Sequence, residues 1–122
     1  MEMYNGEFLT GMSKDMQSCI KYCTMTKNAC EQLMMQCFKN SKWTGMNKCI
    51  TALQCCMSVC DSACMLMICD SKYCEEICKV CAETCFACAE ECDKMKGTDK
   101  ICKMCADICR MCADSCKSMA SH

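Results

Sequence analysis

The side chains able to do chemistry in this sequence are sulfurs: 21 Cys and 15 Met in 122 residues, against a single His. One stretch places Cys74, Cys78, Cys81, Cys85, Cys88 and Cys92 at successive spacings of 4, 3, 4, 3 and 4. A second repeats the pattern with Cys102, Cys105, Cys109, Cys112 and Cys116. On a helix this spacing keeps every thiol on one face. A stripe built only for packing would use Leu and Ile, which fill an interhelical space better. Thiolates in such number point to a soft ion: Cu(I), Zn(II) or the iron of an iron–sulfur cluster.

Spacing separates the three. Residues at i and i+4 have Cβ atoms about 5–6 Å apart, so two sulfurs can grip one ion between them in a near-linear arrangement that suits Cu(I). Such pairs recur as Cys19/Cys23, Cys56/Cys60, Cys60/Cys64, Cys74/Cys78, Cys81/Cys85, Cys88/Cys92, Cys105/Cys109 and Cys112/Cys116. Zinc prefers four ligands in a closed tetrahedron, and the pattern shows no such quartet. The ferredoxin run ending Cys-Pro is absent, and the chain has no Pro. Each Cu(I) that replaces a thiol proton leaves the core's charge unchanged, which predicts on the order of 20 Cu(I) per chain. The alternatives are a zinc-binding, metallothionein-like buffer and a thiol redox protein, although the C-x2-C pairs lack a βαβ context.

Thiol stripes need long helices to carry them. With no Pro and four Gly, in a background of Ala, Lys, Glu, Met and Gln, the chain reads as all-α. Polar or Gly breaks divide it into an antiparallel four-helix bundle with a Cys-lined core. Helix 1 is predicted over Glu7 to Phe38, helix 2 over Gly45 to Ile68 with Thr44 as its cap, and helix 3 over Lys72 to Lys96 with Asp70 or Ser71 as cap. Gly97 suits a helix C′ position, and Thr98 caps helix 4, which runs to Ser118. Helix 1 aligns Met12, Met16, Cys19, Cys23, Cys30, Met34 and Cys37, and helix 2 aligns Cys49, Cys56, Cys60, Cys64 and Met67. Cys55 and Cys69 fall off the stripe and rank last among the candidate ligands. Trp43 and Phe38 are expected to cap one end of the bundle, and Met104 and Met111 to point away from it.

Leu, Ile, Val and Phe together number only 15, so sulfur must occupy the interior of what is expected to be one domain over 1–122. A net charge of -1 offers no basic face for nucleic acid or anionic lipid. Neither a secretory leader nor a run approaching 18 apolar residues is visible, so no membrane is expected and a cytoplasmic, reducing location is the default. The acidic and basic side chains show no convergent pair for acid–base chemistry, so no enzyme is expected.

Beyond these readings, the sequence resembles the copper storage proteins over most of its length. The resemblance rests on CIKYC (Cys19 to Cys23), MNKCI and CCMSVC in helix 2, CEEICKVCAETCFACAEEC (Cys74 to Cys92) and CKMCADICRMCADSC (Cys102 to Cys116). It implies a four-helix bundle that takes up many Cu(I) ions, an intracellular copper reservoir, and a homotetramer. It also implies that metal enters at the bundle end where helices 1 and 3 finish and helices 2 and 4 start. Met34, Met46 and Met95 are the thioethers expected there. Ile101 stands where some members place His before the first Cys of helix 4, and His122 is at the last position, so no His route is expected.

Overall fold

In a computed structural model the chain is described over residues 12–39, 47–95 and 100–121. Four helices account for nearly all of it: α1 Lys14–Lys39, α2 Asn47–Ile68, α3 Cys74–Asp93 and α4 Lys100–Ala120. Each packs against two neighbours, α1 on α2, α2 on α3, α3 on α4 and α4 on α1, which closes a ring around one axis. The pairing is antiparallel throughout, because rising numbers on one helix meet falling numbers on the next. Lys27 reaches Asp61 while Thr24 meets Cys64, and Cys19 meets Cys116 while Cys30 meets Cys105.

Local chemistry sets the helix ends. α1 starts at Lys14, later than the sequence suggests, because Ser13 caps it. The Ser13 Oγ accepts the Met16 N–H at 3.1 Å and its carbonyl accepts the Gln17 N–H at 3.0 Å. Residues Glu7 to Gly11 of the expected helix lie outside the described residues, as do Thr44, Gly97 and Thr98. At the other break, Asp70 proves to be a terminator and not an N-cap. Its φ is 54°, its N–H bonds to the Met67 carbonyl at 3.2 Å, and the Ser71 N–H bonds to the Leu66 carbonyl at 2.9 Å. That pair of bonds is a Schellman motif with Asp70 at C′. The Ser71 Oγ accepts the Tyr73 N–H at 3.1 Å, so α3 begins at Cys74 with Glu75 and Glu76 in its first turn, where they complement the helix dipole.

The core is mostly thiol. Nineteen cysteines are buried, with Ile20, Leu33, Leu53, Met67, Met95 and Met119 among them. Small residues follow the stripe on the last two helices: Ala82, Ala89, Ala106 and Ala113, each just after a Cys, are also buried. They let α3 and α4 approach closely. A Leu core gains about 1.5–3 kcal/mol per side chain, and the smaller Cys gains less, so this interior is weak in hydrophobic burial for its size.

Among the described residues, α2 alone is long and apolar enough to cross a membrane by length and composition, with a mean hydropathy of 1.5 in its best window. The reason is its load of Cys, Met, Leu and Ala. Its Cys49, Leu53, Cys56, Cys60, Ala63, Cys64 and Met67 face is buried against its neighbours, as in the core helix of a bundle.

Candidate metal centre

Closing the ring brings the four stripes together on the axis. The closest sulfur–sulfur contacts there run from 3.5 Å for Cys19–Cys116 to 3.9 Å for Cys23–Cys81 and Cys23–Cys116. Between them fall Cys56–Cys85 at 3.6 Å, Cys60–Cys81, Cys60–Cys85 and Cys23–Cys112 at 3.7 Å, and Cys30–Cys105 at 3.8 Å. All of these cross from one helix to another. Within a helix, Cys81 and Cys85 hold their sulfurs 3.8 Å apart.

The i, i+4 couples Cys19/Cys23, Cys56/Cys60 and Cys81/Cys85 lie close, within larger groups that span helices. The cross-helix contacts correct one expectation: quartets do exist. Cys23, Cys60, Cys81 and Cys112 form one and Cys30, Cys56, Cys88 and Cys109 the other, each taking one thiol from each helix with all sulfurs within 4.8 Å of one another. Spacing along one helix says nothing of its axial register against the next, and register is what builds a quartet. Two triads, Cys19/Cys23/Cys116 and Cys56/Cys60/Cys85, share members with the quartets and extend them into a continuous sulfur column. An ion about 2.3 Å from each of three or four sulfurs sets those sulfurs about 3.8–4.0 Å apart, so the column is spaced for ions shared among three or four thiolates.

No charged side chain of the described residues is buried in this interior. Among the described residues the one buried polar side chain is Thr26, and its hydroxyl has no hydrogen-bond partner. The charged groups sit outside, where Lys27–Asp61 at 3.3 Å ties α1 to α2 and Arg110–Asp93 ties α4 to α3. The thiols therefore settle their protonation among themselves. Cys116, Cys23, Cys60 and Cys81 turn toward Cys112 and hold its thiol well below the ordinary range. Cys30 moves up through its contacts with Cys105, Cys109, Cys56 and Cys88 and through burial. Cys37 and Cys74, near opposite ends, are raised first by burial.

The sequence's candidates distribute as follows. Cys19, Cys23, Cys30, Cys37, Cys49, Cys56, Cys60, Cys64, Cys74, Cys78, Cys81, Cys85, Cys88, Cys92, Cys102, Cys105, Cys109, Cys112 and Cys116 are all buried, whereas Cys55 and Cys69 are exposed. Met95 is buried at 4% exposure and Met34 packs half-buried against the core. Met46, Trp43 and His122 lie outside the described residues. Phe38 does not cap the bundle: it is 62% exposed, because its position on α1 is one residue past Cys37 and so turned off the inward face. Met104 and Met111 are exposed, as expected. Thr26 was missed. Its signal is legible, because the inward positions Cys19, Cys23, Thr26, Cys30, Leu33 and Cys37 continue the same 4, 3, 4, 3, 4 ladder.

The family model described as "Csp: Copper storage protein" matches residues 12–121. The fold is similar to that of the Cu(I)-bound copper storage protein BsCsp3, at 34% identity and a TM-score of 0.82, covering 88% of this chain and 99% of that one. Apo copper storage protein 3 from Bacillus subtilis is 35% identical with a TM-score of 0.75, covering 85% and 97%. Ccsp from Streptomyces lividans, loaded with 10 copper equivalents, is 26% identical with a TM-score of 0.83, covering 88% and 85%. No curated protein matches the sequence.

Proposed function

The chain belongs to the copper storage protein family, and on that premise we propose that it stores Cu(I) on its inward thiols as one domain, without catalysing a reaction. The observation that carries the reading is the column itself: cross-helix quartets and triads that share sulfurs, with no Lys or Arg of the described residues buried beside them. Four thiolates around one Zn(II) leave two negative charges in an interior that offers nothing to offset them, and burying uncompensated charge is costly. One Cu(I) for each thiol proton keeps the column neutral, with sulfurs bridging neighbouring ions. Geometry alone would admit zinc in the quartets; charge favours copper.

Nineteen buried thiols are the ligands of this reading, and Cys55 stands apart from them. A redox role fits poorly, because sensor cysteines must be reachable by oxidant and here only two of 21 are exposed. Met34 and Met95 belong to the intake end, where Cys37, Cys49 and Cys92 begin the column. Cytoplasmic placement rests on the reduced thiols that the role requires and on relatives described as cytosolic. A homotetramer is what the family resemblance implies, and the exposed apolar side chains along the outer faces, Met25, Met35, Val80, Phe86, Met104 and Met111 among them, support association between copies.

Metal competition tests the choice of ion. Protein saturated with Zn(II) and then offered Cu(I) anaerobically releases its zinc and gains the red luminescence of Cu(I)–thiolate clusters. Retention of zinc with no luminescence would favour the zinc buffer.

A further inference from the structure

Cys69, one of the two exposed thiols, sits beside the far end of the column. The Schellman turn makes Leu66 the meeting point: its carbonyl takes the Ser71 N–H at 2.9 Å, the Cys74 thiol at 3.2 Å and the Cys69 thiol at 3.7 Å. Two sulfurs from either side of one turn are thus gathered on a single oxygen, one exposed and one at 9% exposure. Asp70 holds this turn in the left-handed region, a conformation that Asp tolerates better than most non-glycine residues.

Inward from the turn the sulfurs continue. Cys78, one helical turn beyond Cys74, directs its thiol to the Met67 Sδ at 3.9 Å and also interacts with Cys19 and Cys116. Cys19 and Cys116 belong to the triad that leads into the first quartet through Cys23. Soft donors are therefore set in order from solvent at Cys69, through Cys74 on the same Leu66 carbonyl and Cys78 beside Met67, to the storage column. This is the bundle end opposite Met34 and Met95.

We propose that Cys69 and Cys74 form an exchange site at the α2–α3 turn, where Cu(I) passes between the column and an incoming thiol. The proposal rests on the storage reading and adds a second port to it. The step is a ligand exchange without redox change. The incoming thiol forms a Cu–S bond and gives up its proton to the Cys69 sulfur as that Cu–S bond breaks, and copper stays Cu(I). Exposure suits Cys69 to meet the acceptor, while Cys74 holds the ion from the protein side.

The test uses the full chain, reduced and loaded with Cu(I) under anaerobic conditions. Glutathione serves as the incoming thiol and excess bathocuproine disulfonate as the coloured final acceptor. Cys69→Ser, alone and with Cys74→Ser, is expected to slow release severalfold while costing no more copper than those two thiols hold. Cys55→Ser, at an exposed thiol of α2 away from this turn, is expected to release at the wild-type rate. Wild-type rates in the Cys69 variants would overturn the exchange site, and so would equal slowing by Cys55→Ser. Cys69→Ser carries the test by itself if the double variant does not fold, because Cys69 lies outside the core. Copper content of the wild type tests storage and release rate tests the port, so full loading with unaltered release refutes the port alone.

Discussion

Cys23 on α1 and Cys112 on α4, 89 residues apart in sequence, hold their sulfurs 3.7 Å apart on the bundle axis. With Cys60 and Cys81 they form a quartet to which every helix contributes once. An ion bound there ties the first helix to the last and both to the pair between them. Metal binding and bundle stability are consequently linked, since an ion that binds the folded column better than the unfolded chain shifts the equilibrium towards the fold.

Sharing of sulfurs has a consequence for capacity. Cys60 belongs to a quartet and to a triad, so Cys60→Ser is expected to lower the Cu(I) content of the saturated protein by one ion or more. Cys55→Ser, on the outer face of the same helix, leaves the content unchanged. Elemental analysis of both variants after removal of loosely bound copper checks this. Equal losses would mean that position in the column does not matter.

Thr26 carries a second prediction. A buried hydroxyl without a partner costs about 1–3 kcal/mol, and Val has nearly its shape without the polar atom. Thr26→Val is expected to stabilise the metal-free protein by about 1 kcal/mol, and Thr26→Ser, which keeps the hydroxyl and loses a methyl, to destabilise it. Urea unfolding of reduced apo protein measures both.

Alkaline pH separates the two forms of the protein. Burial raises Cys37 and Cys74 above the ordinary thiol value of 9.0, so the folded state favours their protonated form. Their contribution to stability is complete below that value and is lost as pH rises through their folded pKa values. Melting of the apo protein is expected to fall at pH above about 9, while the Cu(I)-loaded protein, whose thiol protons are already replaced, shows little change over the same range.

Much of this architecture is legible in the sequence because one period carries it. The 4, 3, 4, 3, 4 spacing of Cys74 to Cys92 fixes both helix and inward face, and projection on that helix geometry correctly turns Cys55 and Met104 outward. The quartets are not legible, since they depend on how far each helix slides against its neighbours. Asp70 misleads for a different reason: Asp suits an N-cap and also tolerates the left-handed C′ position, and only the bonds to Met67 and Leu66 decide between them. Thr26 escapes a reading that follows sulfur alone, because what marks it is its place in the ladder and not its chemistry.

The central claim is that the thiol column is filled by Cu(I), and counting the ions tests it most directly. Fully reduced protein is titrated anaerobically with Cu(I) against a chromophoric competitor, and the saturated form is analysed for copper and protein. Tight uptake on the order of 20 Cu(I) per chain, near one per Cys, is the predicted result. Saturation at about two ions, as one divalent ion for each of the two quartets would give, contradicts the account.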